Sequence, residues 1–364
     1  MYACYTIGMF NFFGAREINE SLGIDIGPSS IKVVQLKRDK ENIILETYGE
    51  IALGPYAGLE VGQATQLGDE KLHEALSDLF KEAKVSTKVA TMSIDSPAAF
   101  VSMVTVPKVE ENALRTMMPL EARKYIPIPL SEVQMDFWHI PDYAPEGTAN
   151  ARTMQVVLAA VKNETLEMYN RLATRLGLQH VEFEIEGFSL VRSVATHSMG
   201  MTLVVDIGSR YTTVSLIRGQ VVLDMHVISH GSQEGTQQLS KALAVPLATA
   251  EETKRTFGYM GDASNPYIKE VMELSSYPLF GEVARLSLMY ERKYNQTIEG
   301  VILVGGGARV RGALEAYKQV VHLSAVIGTP FEQVKVPNFL SEMMSRIGPS
   351  YAVAVGLALK KLIS

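Results

Sequence analysis

Two segments of this chain read alike at half-chain spacing. Leu22-Gly-Ile-Asp-Ile-Gly-Pro-Ser-Ser-Ile-Lys-Val-Val-Gln-Leu36 returns as Leu203-Val-Val-Asp-Ile-Gly-Ser-Arg-Tyr-Thr-Thr-Val-Ser-Leu-Ile217; Asp25 falls on Asp206 and Gly27 on Gly208, an offset of 181 residues in a chain of 364. Each copy is an apolar strand, a short turn of Gly, Ser or Thr, and a second strand, and each continues into a further hairpin strand, at 43–48 and 221–227. One unit used twice predicts two lobes facing a cleft. A strand that runs into such a turn bares backbone N–H groups on one side, a concavity suited to phosphate oxygens. The aspartates Asp25 and Asp206 can hold a hydrated divalent metal beside the anion. Either turn alone reads equally as an ordinary hairpin. The pair at half-chain spacing argues for two turns clamping one polyphosphate.

A third glycine site follows, Gly300-Val-Ile-Leu-Val-Gly-Gly-Gly-Ala308, then a helix-like run over 309–321. It lacks the third glycine of a dinucleotide fingerprint, because Val310 stands there, and no Lys-Ser or Lys-Thr follows Gly312 as a Walker loop requires. A flat glycine turn after a buried strand suits a purine ring or ribose against bare backbone, and reads equally as a plain strand-to-helix turn.

Composition narrows the function classes. With 34 basic against 40 acidic residues the formal charge is −6, the wrong sign for a dedicated nucleic-acid binder. The single cysteine, Cys4, excludes an intrachain disulfide framework and a Cys-rich zinc site, in keeping with a reducing cytoplasm. Residues 1–20 read as a leader, disordered or a peripheral anchor, with Phe10, Phe12 and Phe13 as its apolar part and Met9 as an alternative start. The seven histidines are scattered; His226 and His230, four apart, sit on a strand-then-loop pattern and read as incidental.

Three glycine elements in this order resemble the actin-like ATPase superfamily. Within it the chain is similar to the PilM family of type IV pilus assembly proteins, on 22–36, on the closing run Pro349-Ser-Tyr-Ala-Val-Ala-Val-Gly-Leu-Ala-Leu359, and on the Glu-Ala-x-x-Tyr-Ile-Pro-x-Pro core of Glu121-Ala-Arg-Lys-Tyr-Ile-Pro-Ile-Pro129. The resemblance implies an α/β chain with a duplicated, ribonuclease H-like ATPase fold, a nucleotide cleft between two lobes and a small inserted α+β subdomain. It implies ATP with Mg2+ as cofactors. Asp25, Gly27, Ser29, Ser30 and Lys32 match the first phosphate loop, Lys32 reaching the β and γ phosphates; Asp206, Gly208, Ser209 and Thr212 match the second. Gly305, Gly306 and Gly307 match the adenosine motif, and Glu251 and Lys254 the helix that contacts ribose and base, or else a solvated helix face. Glu186 stands near the position that orients an attacking water; yet 181–187 alternates like a strand, and Glu182, Glu184 and Glu186 on one face read as a solvated edge. Nucleotide binding is therefore the expectation, with hydrolysis weak or absent.

The family's partner is the short N-terminal cytoplasmic peptide of PilN, bound between the first lobe and the insert. The resemblance extends to PilO through PilN, to pilus motor ATPases and to self-association, and implies a cytoplasmic protein peripheral to the inner membrane. Alternatives from the same fold are an FtsA- or MreB-like filament former and a small-molecule kinase. The organisation expected is a first lobe over 21–97, an insert over 98–182, the end of the first lobe over 183–200, a second lobe over 201–348, and a C-terminal helix over 349–364 returning to the first lobe. Predicted elements are helix 69–84 and strand 89–94; in the insert, strand 100–106, helix 110–124, strands 134–140 and 154–161 and helix 164–176; and helices near 235–243, 248–255 and 350–362. The prolines bounding 141–150 suggest a flexible loop. The stripe Ala113, Leu114, Met117, Met118 and Leu120 reads as mostly core.

Overall fold

A computed structural model describes residues 18–140 and 152–363. The expectations about the leader at 1–17 and the loop at 141–150 lie outside the described residues. In the first lobe, β1 (Glu20–Ile26), β2 (Ser30–Asp39) and β3 (Asn42–Ala52) form an antiparallel meander, α1 (Asp69–Glu82) follows, and β4 (Val89–Ile94) returns parallel to β1. The chain departs through β5 (Ala99–Pro107), α2 (Glu111–Ala122), β6 (Val133–His139) and β7 (Thr153–Lys162). It re-enters through α3 (Asn163–Arg175), β8 (His180–Ile185), parallel to β4, and α4 (Glu186–Val194). The second lobe repeats the plan with β9 (Met201–Ile207), β10 (Thr212–Arg218), β11 (Val221–Ile228), α5 (Gln233–Leu243), α6 (Leu247–Phe257), α7 (Tyr267–Tyr294), β12 (Gly300–Val304), α8 (Gly305–Ala308), α9 (Ala313–Val320) and β13 (Ala325–Ile327). Helices α10 (Ser341–Ile347) and α11 (Ala352–Ile363) close the chain.

The duplication is visible in the strand orders, β3-β2-β1-β4-β8 in one sheet and β11-β10-β9-β12-β13 in the other. It extends to register. Asp25 lies opposite Lys32 and Asp206 opposite Thr213, while Gly27 N–H donates to Ser30 O and Gly208 N–H to Tyr211 O, both at 3.1 Å. The sequence repeat is thus one turn geometry built twice. β1 and β9 are central strands buried on both faces, which is why Leu22–Ile24 and Leu203–Val205 read as polar-free runs up to the aspartates near the strand ends.

The inserted strands are not a free-standing sheet. β5 meets β11 at Ser102 and Asp224, so β5, β7 and β6 prolong the second lobe's sheet to eight strands, with β6 at its edge. Helix α3, read from sequence with the insert, packs in the first-lobe core: Leu166, Tyr169 and Leu172 share a cluster with Leu72, Leu76 and Leu79 of α1, and Arg171 and Arg175 pair with Asp69 and Glu70. β8, whose first residues the sequence reading puts in the insert, pairs along its whole length with β4. The α2 stripe is narrower than its composition suggests. Leu114 and Met118 are buried with Ala122, at i, i+4 and i+8, whereas Ala113 and Leu120 are exposed. Helix α7, 28 residues long, is absent from the sequence reading; its buried positions Ile268, Met272, Leu279, Val283, Leu286 and Tyr290 keep helical spacing, but Pro278 and a polar Ser-Ser pair obscure it.

α11 returns to the first lobe and lies directly on backbone. A Cβ at Gly356 would stand 1.7 Å from Ser189 O of α4, and one at Gly23 2.0 Å from Ala354 O. Gly356→Ala should therefore destabilise the protein by about 2 kcal/mol, because the obstacle is main chain rather than a side chain that can swing aside. Urea denaturation of the variant checks this, and a midpoint equal to wild type would contradict the packing.

Candidate functional site

The two glycine turns end β1 and β9 at the bottom of the cleft. In the first, Ser29 O accepts from Leu53 N–H and the Lys32 ammonium lies 2.8 Å from Ser30 Oγ and 3.3 Å from Glu50 Oε1. Burial opposes ionisation of Glu50, but Lys32, the Ser30 hydroxyl and Arg309 more than offset it and hold the carboxyl below its usual range. In the second turn, Ser209 O accepts from Gln233 N–H at the start of α5, and Thr212 Oγ1 donates to His230 O. Ser209 Oγ is buried with no hydrogen-bond partner among the described residues. A phosphate oxygen is the kind of acceptor it lacks.

Four acids converge here: Asp25, Asp206, Glu186 and Asp95. Burial pushes Asp25 up to about 6, Lys32 only partly opposing it. Burial and then Asp25 push Asp206 up to about 7, and the same two causes bring Asp95 to about 7. Glu186 is raised well above the ordinary range by burial, then by Asp95, Asp25 and Asp206. The strand pattern of 181–187 stops short of Glu186, which is the first residue of α4; its Oε2 accepts from Ser96 N–H and Oγ–H, and Tyr211 O–H reaches its Oε1 at 3.5 Å. Its neighbours are no solvated edge either. Glu184 is 2% exposed, and Arg192 and Lys360 surround it. The edge reading fails because α11, distant in sequence, covers this face.

Asp95 and Tyr211 are the residues sequence reasoning missed. Asp95 carries one available signal, since it is an acid just past a strand that runs parallel to its neighbours, where open α/β sheets place their ligands.

Beside the second turn, Gly305 adopts φ +85°, and a Cβ there would meet Asp206 Oδ1 at 2.2 Å; one at Gly307 would meet Ile207 Cγ2 at the same distance. The glycine run thus lets the third motif lie flat on the second turn, while Gly306 faces open space. Beneath Gly307 a cavity is lined by His230, Gly231, Gly235, Lys254, Tyr259 and Phe280. Glu251 and Lys254 are no solvated face. Lys254 is 5% exposed, and its ammonium has three oxygen acceptors, Ser232 O at 3.1 Å, Thr236 Oγ1 at 2.7 Å and Glu251 Oε2 at 2.7 Å. Burial lowers its pKa against the pull of Glu251. The pair ties α6 to α5 and so positions the wall of the cavity.

The donor set fits a phosphate chain carrying a hydrated cation. Two buried acids, Asp25 and Glu186, and two half-buried ones, Asp206 and Asp95, with one nearby lysine need positive charge. Among the described residues no three carboxylate, histidine or cysteine groups are placed to ligate a metal directly. A magnesium ion that keeps several waters and takes its remaining ligands from phosphates suits such a site; the residues that would hold it are Asp25 and Asp206.

A second concavity lies between the sheets. β8 is the edge of the five-stranded sheet and β6 the edge of the eight-stranded one, and Gln134 and Asp136 of β6 face Phe183, Glu184 and Ile185 of β8 across it. Trp138 of β6 and Phe188 of α4 meet edge to face at 5.2 Å. Burial raises the Asp136 carboxyl above its usual range, with the hydrogen bond from Phe137 N–H and then Arg115 and Lys360 opposing. Tyr125 of the Tyr-Ile-Pro-Ile-Pro stretch is 39% exposed, while Ile126 is core of the insert.

Comparison with known proteins agrees with this architecture. The cell division protein FtsA of Streptococcus pneumoniae is 24% identical over 360 residues, spanning 87% of this chain and 76% of its own. Among solved structures, a PilM-PilN type IV pilus biogenesis complex aligns with a TM-score of 0.80 at 25% identity, over 95% of this chain and 99% of that one. MreB5 of Spiroplasma citri, solved with AMPPNP, aligns at 0.53 and 12% identity over 96% and 98%, and shares the actin-like ATPase fold. Among the described residues no helix is long and apolar enough to cross a membrane. The family described as type IV pilus assembly protein PilM matches residues 23–362, nearly the whole of the duplicated unit with its insert, and it is to this family that the chain belongs.

Proposed function

We propose that the chain is a nucleotide-binding scaffold of type IV pilus assembly, holding ATP with Mg2+ in the interlobe cleft and the N-terminal cytoplasmic peptide of PilN in the groove between β6 and β8. Asp25, Asp206 and the two turns hold the metal-bound phosphates, Lys32 neutralises them, and the cavity beneath Gly307 takes the nucleoside. Docking on PilN keeps the protein at the cytoplasmic face of the inner membrane. Glu186, with both carboxylate oxygens engaged by Ser96 and Tyr211, is poorly placed to activate water, which favours sensing over turnover.

The observation that carries this reading is the double engagement of α4. Its first residue, Glu186, sits among the cleft acids, and its Arg192 makes a bidentate pair with Glu184 on the groove wall. One short helix therefore touches both sites, so a cation or phosphate that re-sets Glu186 changes the ground on which the groove stands. Coupling requires the peptide to distinguish the two states. Calorimetry of a PilN N-terminal peptide against protein with and without Mg·ATP should show affinities differing at least about fivefold. No binding in either state overturns the partner assignment; equal binding in both overturns the coupling alone.

A further inference from the structure

We propose that Asp95 is a third acidic residue for the divalent cation of the cleft, gripping it through a water of its hydration shell. The inference rests on the nucleotide reading above and adds a residue that the two repeated turns do not contain.

The placement follows from strand order. β4 lies between β1 and β8, parallel to both, with Met92 beside Ile24 and Ile94 beside Ile185. Its carboxyl end therefore opens between Asp25, near the end of β1, and Glu186, just past β8. The flanking residues touch both acids: Ser93 Oγ lies 3.5 Å from Asp25 Oδ1, and Ser96 donates twice to Glu186 Oε2. Asp95 is the acid left between them. Its Oδ1 is shut off from solvent and has no hydrogen-bond partner among the described residues, an arrangement that is costly for a carboxylate unless a donor or cation completes it. The basic side chain at this end of the cleft, Lys32, is turned to Ser30 and Glu50 instead. A neutral protein donor would remove the need for a ligand, and none is present among the described residues. The grip is through water, because no three acids here converge to ligate one ion directly. Hard divalent cations that retain their water suit that arrangement.

The test uses Mn2+ as the metal, read by the electron paramagnetic resonance of free Mn2+, with ADP as the nucleotide, on wild type and on Asp95→Asn, with Asp95→Ser as a second variant. The neutral variants should bind Mn2+ in the ADP complex about tenfold more weakly, as loss of a group that orients a metal's ligands does. In EDTA, their ADP affinity should be unchanged or higher, because a like charge near the phosphates is gone; a merely structural defect would weaken both. Their melting temperature without ligand should be no lower than wild type. ADP uptake with unchanged Mn2+ affinity in a folded variant overturns the role of Asp95 alone. Wild-type protein that takes up no ADP, with or without Mn2+, overturns the nucleotide reading and the role of Asp95 with it.

Discussion

Asp206→Asn should weaken Mg-dependent nucleotide binding by about 100-fold while making the ligand-free protein more stable at pH 8. The two effects have one cause. Asp206 is held in a cleft where burial and Asp25 raise its pKa from 3.8 to about 7, with Lys32 opposing. The folded state thus binds this proton more tightly than the unfolded chain does. Its contribution to stability is fully present below pH 3.8 and is lost as pH rises through about 7. For this one group the loss is on the order of 2–4 kcal/mol, and the neutral amide does not incur it. Melting curves at pH 5 and pH 8, each with and without Mg·ADP, separate the parts. Wild type should fall more steeply than the variant between the two pH values and recover at pH 8 when Mg·ADP is added; the variant should not respond to the ligand. Identical pH dependence in the two proteins would show that Asp206 is not buried against Asp25, and an unchanged ligand response would show that the cleft lies elsewhere.

What was legible in the sequence is what is local. Asp25 and Asp206 announce themselves because an apolar strand, an aspartate and a glycine turn occupy six consecutive positions, and because the same arrangement recurs at half-chain spacing. The strands β4, β5 and β7 and the helices α1 and α3 are likewise carried by their own periodicity. What the sequence hides is what several strands make together. Asp95 lies within ordinary text, Ile94-Asp-Ser-Pro97, and becomes a cleft residue only because β4 runs between β1 and β8. Tyr211 reads as a turn residue until α4 brings Glu186 beside it. The alternation of Glu182, Glu184 and Glu186 points to solvent unless one knows that α11, more than a hundred residues later, covers the same face with Lys360. The insert joins the second lobe's sheet through one strand pairing, Ser102 with Asp224, a contact without any sequence periodicity to betray it, and Val101 and Val157 share the core cluster of Leu223.

That covered face yields the largest expected loss of stability. Arg192→Met should destabilise the protein by about 3–5 kcal/mol, the usual penalty for stranding one member of a buried ion pair. Arg192 and Glu184 are 7% and 2% exposed, their two nitrogens and two oxygens meet at 2.6 and 2.7 Å, and the same guanidinium donates to Gly356 O at 3.0 Å. Burial works against the Glu184 charge, but Arg192 and then Lys360 overcome it and hold the carboxyl below its usual range. Without Arg192, Glu184 keeps, among the described residues, only the ammonium of Lys360 at 3.5 Å, which it shares with Glu182 at 3.2 Å. The double variant Glu184→Gln with Arg192→Met should recover most of the loss, because the stranded charge is gone and apolar bulk replaces the guanidinium. Urea midpoints of the two single variants and the double close the cycle. A double variant no better than Arg192→Met would assign the stability to the bond on Gly356, that is, to the seating of α11 rather than to the ion pair. The concavity between β6 and β8, proposed above as the peptide groove, supplies a second readout: Glu184 and its neighbours Phe183 and Ile185 form one wall of it. If the proposed PilN site is correct, Arg192→Met should lose peptide binding at urea concentrations where the nucleotide cleft still functions. Simultaneous loss would mean that the two sites share one cooperative unit from the outset.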